Sequence, residues 1–163
     1  MKIPDTDFKI ADVQNAFKKK TLDAQVSNFL ETLGNNKPMA KGLRKRKSEN
    51  KLFWVGPIYF NLNELTRCTG PEPEMEFIQS KESWESRVSA IVNKINDDWE
   101  SPVLLVNSRP WPILSVRDGN HRYEALVRSR KKKYWCLFWF ENLDEQNAFV
   151  KKYNLSEDLI YSS

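Results

Sequence analysis

"ILSVRDGNHRYEALVRSRKKKYWCLFWF", residues 113–140, is the stretch that decides the fold. It opens on a short apolar strand. Its middle, "NHRYEALVRSR", sets Tyr123, Leu126 and Val127 at helical spacing. Its end, "KKKYWCLFWF", is apolar almost throughout, as an interior strand of a sheet is. Strand must therefore hand over to helix within two or three residues, at Asp118 and Gly119. Gly119 permits a backbone conformation closed to other residues and lets a ligand approach closely.

The first N–H groups of a helix have no partner inside it and lie at the positive end of its dipole. An anion, typically phosphate, is their natural occupant. Arg122 is expected to clamp phosphate oxygens and His121, the single histidine of the chain, to add a hydrogen bond. Asn120 caps the helix or reaches the ligand. Asp118 would hold Mg²⁺, accept a ribose hydroxyl or act as a base. Asp, Gly and Asn are also the residues of an ordinary capped turn. What favours a ligand is His121 beside Arg122, because two cation-capable side chains at a positive helix end call for a compensating anion. Strand alternation puts Arg117 and Asp118 on opposite faces, and Asp118 is preferred in the site.

Outward from this unit, the compact domain begins near Lys51. "KLFWVGPIYFNL" is strand-like, with Gly56-Pro57 marking a bulge or turn. "NELTRCTGPEPEMEF" is turn-rich and acidic. "SKESWESRVSAIVNKINDDWE" reads as a helix capped by Ser80 or Ser83, with Trp84, Val88, Ile91, Val92 and Ile95 on one face. "SPVLLVN" and "PILSVRD" are strands joined by the turn "SRPW", and "DEQNAFVKKYNL" closes as a helix. The order strand, loop, helix, strand, strand, helix, strand, helix gives an α+β domain over residues 52–163.

Residues 1–35 read as a helical extension that packs on the domain or forms a dimerisation arm. A break near Lys20 would split it in two, and Gly34 is the expected C-cap. "KPMAKGLRKRKSEN", within residues 36–51, is basic and nearly free of large apolar residues, and reads as a linker or exposed loop.

The chain has 163 residues, 40% hydrophobic and 12% aromatic, which supplies a genuine core and excludes wholesale disorder. Net charge is +4, and the excess is local. Lys41, Arg44, Lys45, Arg46 and Lys47 form one cluster; Arg128, Arg130, Lys131, Lys132 and Lys133 form another. Either is a possible nucleic-acid contact, although the overall balance does not make the chain a nucleic-acid binder. Cys68 and Cys136 have no zinc spacing. No apolar run approaches the ~20 residues of a membrane span, and the N-terminus has no secretory h-region. A reduced, cytoplasmic protein without membrane contact is expected.

Several further residues are candidates. Glu72, Glu74 and Glu76 lie in one acidic loop; Glu72 or Glu74 could serve as a general base, but a solvated surface loop is the commoner meaning of such a run. Arg67 and Arg117 are possible accessories to a phosphate pocket. Trp111, in the "RPWP" turn, is placed to stack on a base or to cap the core.

The segment 113–140, with its Asp118-Gly119-Asn120-His121-Arg122 turn, resembles the ParB/sulfiredoxin superfamily, and the broader likeness runs over about residues 53–140. The resemblance implies a strand–turn–helix–strand unit that binds nucleotide phosphates, with an Asp-Gly-His-His-Arg stretch in its free serine kinase branch. It implies that Gly119 makes the tight turn, that Asn120, His121 and Arg122 contact the β- and γ-phosphates, and that Asp118 takes the acidic position of the kinase-like branch. Asn120 stands where sulfiredoxins carry their catalytic cysteine, so sulfiredoxin chemistry is not expected. Residues 141–163 are too few for the helix-turn-helix and dimerisation regions of ParB partition proteins.

The expectation is an ATP- or NTP-binding protein that uses Mg²⁺. It would transfer a phosphoryl group to an unknown small-molecule acceptor, as a kinase, or hydrolyse the nucleotide, with Asp118, His121, Glu72 and Glu74 as the catalytic set. The alternatives are a non-enzymatic DNA- or nucleotide-binding regulator and a ParB-like nuclease. A homodimer through the N-terminal helices is a further possibility.

Overall fold

The structure is a computed structural model that describes residues 8–33 and 36–161. It is an α+β fold built on a mixed five-stranded sheet. The strands are β1 (Phe53–Asn61), β2 (Leu65–Arg67), β5 (Leu104–Ser108), β6 (Leu114–Asp118) and β7 (Lys133–Phe140), in the order β1-β7-β5-β6-β2. β7 pairs antiparallel to β1 and parallel to β5, so both of its edges are hydrogen-bonded. β6 runs antiparallel to β5 and parallel to β2. Two short strands, β3 (Thr69–Gly70) and β4 (Phe77–Ile78), pair apart from the main sheet.

Strand alternation divides β7 between two cores. Leu137 and Trp139 face one side with Trp54, Val103 and Leu105; Cys136, Phe138 and Phe140 face the other with Leu104, Val106 and Val116. Both faces are covered, which is why "YWCLFWF" shows no polar alternation. The first face carries α1 (Ile10–Lys19), α2 (Leu22–Glu31) and α3 (Lys37–Ser48). The second carries α5 (Asn120–Arg128) and α6 (Leu143–Lys152), and α4 (Lys81–Val92) packs on α5 through Trp84, Val88 and Ala125.

The N-terminal helices belong to the body of the fold. Phe8 stacks on Phe29 at 4.6 Å, and its carbonyl accepts from Val103 N at 2.8 Å. Val13, Leu22, Val26 and Leu30 are fully buried in the same cluster. Each such side chain contributes about 1.5–3 kcal/mol of burial. The expected break is at Lys20, in the left-handed region at φ 59°. Gly34, the expected cap of the second helix, lies outside the described residues.

Residues 37–48 differ from the expected loop: they form α3. Asn36 caps it by accepting from Met39 N, and Pro38 sits in the first turn, where its missing N–H costs nothing. Only Ala40 and Leu43 are buried, one turn apart. So narrow an apolar stripe in a basic segment carries little periodic signal.

In β1 the pairing slips between Val55 and Ile58, at Gly56-Pro57, so the punctuation is a bulge. Trp111 is half-buried and meets Phe140 and Phe149 edge-on at 6.3 and 6.2 Å, which makes it a cap on the core. Among the described residues no helix is long and apolar enough to cross a membrane.

Candidate functional site

The turn at 118–122 joins β6 to α5 at one end of the sheet. Between β5 and β6 the register jumps from Val106–Val116 to Leu105–Asp118, so Arg117 is the extra residue of a bulge. A bulge re-aims side chains. Strict alternation consequently fails here: Arg117 and Asp118 border one small cavity of about 250 Å³ together with Gly119, Asn120 and His121.

Gly119 is the N-cap of α5 at φ 100°. A Cβ there would stand 2.6 Å from Leu104 Cδ2, so both conformation and space demand glycine. Tyr123 makes the first helical bond, from its N–H to the Gly119 carbonyl at 2.8 Å. The amides of 120–122 precede it and have no helical acceptor.

The side chain of Asn120 is an internal tie. Oδ1 accepts from Cys68 N at 2.9 Å and Thr69 N at 3.3 Å, while Nδ2 donates to the Val116 carbonyl at 3.0 Å. It is buried and both of its polar atoms are engaged within the protein, so the expected phosphate contact at this position is left to its backbone N–H.

Arg122 is also engaged. Its Nη2 donates to Asp118 Oδ2 at 3.0 Å, and its Nη1 donates to the carbonyls of Pro102 and Val103. Side-chain exposure is 15% for Arg122 and 11% for Asp118. Burial pushes the Asp118 carboxyl up and Arg122 pulls it back; burial likewise lowers the Arg122 guanidinium. The expected clamp on phosphate is thus a clamp on the protein: it fixes α5 to the residues that lead into β5.

Among the described residues His121 makes one polar contact, Nε2 to Gln79 Oε1 at 2.7 Å, and lies 4.8 Å from the Trp84 ring. Because that partner is an acceptor, the neutral ring donates from Nε2 and presents an unprotonated Nδ1. Burial, with Arg87 and Arg122 nearby, lowers its pKa to about 4. His121 is therefore neutral at physiological pH. This corrects the charge argument read from the sequence: one of the two cation-capable side chains is uncharged and the other is balanced by Asp118, four residues earlier.

The uncompensated charge comes from Arg87 on α4 and from Lys94 just past its C-terminus. A cavity of about 430 Å³ opens at the start of α5, bordered by Asp118, Gly119, His121 and Arg122, with Trp99 on its wall and Arg87 and Lys94 at its rim. Both rim cations are exposed, and neither has an ion-pair partner among the described residues. Arg87 also borders the 250 Å³ cavity, so the two are neighbouring parts of one groove. Arg87 and Ile91 lie at i and i+4 on one face of α4, and Lys94 follows in the turn just after the C-cap Asn93. That spacing was visible in the sequence. The apolar series through Ile91 masked it.

The other candidates fall elsewhere. Arg67 donates to Glu72 at 2.5 Å and to the Thr69 carbonyl at 3.1 Å, and lies 4.8 Å over Trp84. That bond holds the Glu72 carboxyl below its ordinary value, so Glu72 is an engaged anion rather than a free base. Glu76 is paired twice with Arg117, at 2.8 and 2.9 Å, and is likewise held low. Glu74 is exposed and borders neither cavity of the groove. Of the expected carboxylates, only Asp118 borders it.

Magnesium does not fit Asp118 as a resident ion. Arg122 occupies Oδ2, and among the described residues no group of three or more His, Cys, Asp or Glu could hold a metal.

Both basic clusters are partly neutralised internally. Arg44 pairs with Glu31, Arg46 with Glu141, Lys47 with Asp23, Arg128 with Glu85 and Glu124, and Lys131 with Asp97. Cys68 and Cys136 are buried free thiols, and burial pushes the Cys136 thiol up, which disfavours a reactive thiolate.

Compared with known proteins, the chain matches no family model, no curated protein and no solved structure.

Proposed function

We propose that this chain is a nucleotide-binding protein of ParB/sulfiredoxin-like type, whose groove at the start of α5 takes the phosphates of ATP or a related nucleoside triphosphate. One observation carries the reading. The N-terminus of α5 opens into a cavity of about 430 Å³ rimmed by two cations, Arg87 and Lys94, that have no carboxylate partner among the described residues. Helix amides and free cations together are what a phosphate requires. Trp99 on the same wall offers a face to a base. The volume lies within the ordinary range of ligand sites, about 300–1,000 Å³.

The activity proposed is phosphoryl transfer to a small molecule, or to water in hydrolysis. The acceptor oxygen attacks the terminal phosphorus, the bond from phosphorus to the bridging oxygen breaks, and the nucleoside diphosphate leaves with that electron pair. The acceptor's proton passes to Asp118, whose Oδ1 is not engaged by Arg122. Arg87, Lys94 and the α5 amides stabilise the charge of the transferring group. His121, held neutral, fixes the start of the helix through Gln79.

Calorimetric titration with ATP, CTP, ADP and AMP tests the reading. Affinity is expected to fall from triphosphate to monophosphate. Equal affinity for ATP and AMP, or no binding by any of the four, would overturn it. Incubation with ATP followed by assay for released or transferred phosphate tests the activity separately.

A further inference from the structure

A second cavity, of about 450 Å³, lies beside α3. Arg46, Arg109 and Arg117 all border it, together with Met39, Phe77 and Trp139. Two of the three guanidiniums are neutralised where they stand: Arg117 by Glu76, and Arg46 by Glu141. Arg109 has no carboxylate partner among the described residues. The cavity therefore holds three guanidiniums against two carboxylates, and the unbalanced charge sits on Arg109.

Arg109 is supported from behind. Its Nε donates to Asn107 Oδ1 at 3.0 Å, and Asn107, only 2% exposed, is itself anchored by Nδ2 on the Trp139 carbonyl at 2.7 Å. A buried amide thus fixes the stem of the guanidinium fork, while the residue stays open to solvent and its terminal N–H donors have no acceptor among the described residues. Partial burial and the nearby Arg117 lower its pKa, the behaviour of a cation lacking a counter-ion. Trp139 also borders the cavity. It is 2% exposed, and its buried Nε1–H has no acceptor among the described residues. Buried donors without acceptors are rare in folded proteins. The remaining wall is apolar: Met39, and the half-exposed ring of Phe77.

We infer that this cavity is a binding site for a small monocarboxylate with an apolar body. The carboxylate takes the Arg109 fork, one negative charge meeting one uncompensated positive charge. The apolar body lies against Met39 and Phe77. A tightly hydrated dianion such as phosphate would leave those walls uncovered and carry more charge than the cavity lacks. The inference does not depend on nucleotide binding at α5. The two regions do adjoin, because the 250 Å³ cavity shares Arg117 with this site and His121 with the other.

The test is calorimetric titration of the full chain with benzoate, with benzamide as the neutral isostere and inorganic phosphate as the anion without an apolar body. Benzoate is expected to bind, at least about tenfold tighter than either comparator, and to move the Trp139 indole N–H resonance. R109Q is expected to weaken benzoate at least about tenfold. No benzoate binding, equal binding of benzamide, tighter binding of phosphate, or an unchanged affinity in a folded R109Q chain would each overturn the inference. If R109Q does not fold, the comparison of benzoate with benzamide on the wild-type chain decides the matter alone.

Discussion

Arg122 and Asp118 form an ion pair at 3.0 Å across the first turn of α5, with both side chains largely buried. The most conspicuous cation of the turn is thereby committed to the fold, and the charge that faces the groove belongs to Arg87 on α4 and Lys94 in the turn after it.

Arg122→Gln should be a stability variant before it is a binding variant. It leaves Asp118 buried without its cation and frees two backbone carbonyls, those of Pro102 and Val103. Breaking one partner of a buried pair costs about 3–5 kcal/mol. Denaturant unfolding should show a loss of that order. A loss below about 1 kcal/mol would mean that the pair is solvent-screened.

Gly119→Ala should cost at least about 2 kcal/mol, since it combines φ 100° with a Cβ 2.6 Å from the buried Leu104. Thermal unfolding reads this directly. An unchanged midpoint would contradict the left-handed geometry of the cap.

Arg87→Ala and Lys94→Ala should behave in the opposite way. Both residues are exposed and unpaired among the described residues, so stability should change by no more than about 0.5 kcal/mol. Nucleotide affinity should fall by roughly tenfold for each, the worth of one charge-assisted contact. Full affinity in the double variant would remove both cations from the site.

The contrast between Arg122 and Arg87 shows what the sequence could and could not reveal. The strand–turn–helix–strand unit was legible because Gly119, the helical spacing of Tyr123 and Leu126, and the unbroken apolar run of β7 are local signals. The direction of side chains was not. Whether Arg122 faces a ligand or a carbonyl depends on Pro102 and Val103, distant in sequence and set beside it by the pairing of β5 with β6. Asn120 was hidden for the same reason, since its partners Cys68 and Thr69 arrive from beyond β2. α3 escaped notice because Ala40 and Leu43 alone bury it.

His121 gives a pH prediction with a definite sign. Its pKa is about 4 in the fold, against 6.5 for a free imidazole. Between those values the unfolded chain takes up a proton that the folded chain refuses, so stability falls as pH drops from about 6.5 toward 4. Above 6.5 this group contributes no slope. Discounted for partial exposure, the loss is on the order of 2 kcal/mol. His121→Gln should flatten the unfolding free energy over that window relative to wild type. Identical slopes in the two chains would contradict a neutral, part-buried ring.

The central claim is that phosphate meets the backbone amides at the start of α5. An ¹H–¹⁵N correlation spectrum recorded during titration with ATP tests it most directly. The amide resonances of Asn120, His121 and Arg122 should move together and saturate, with AMP producing much smaller shifts at equal concentration. Saturable ATP binding that leaves these three amides in place, or no shift anywhere along the groove, would contradict the account.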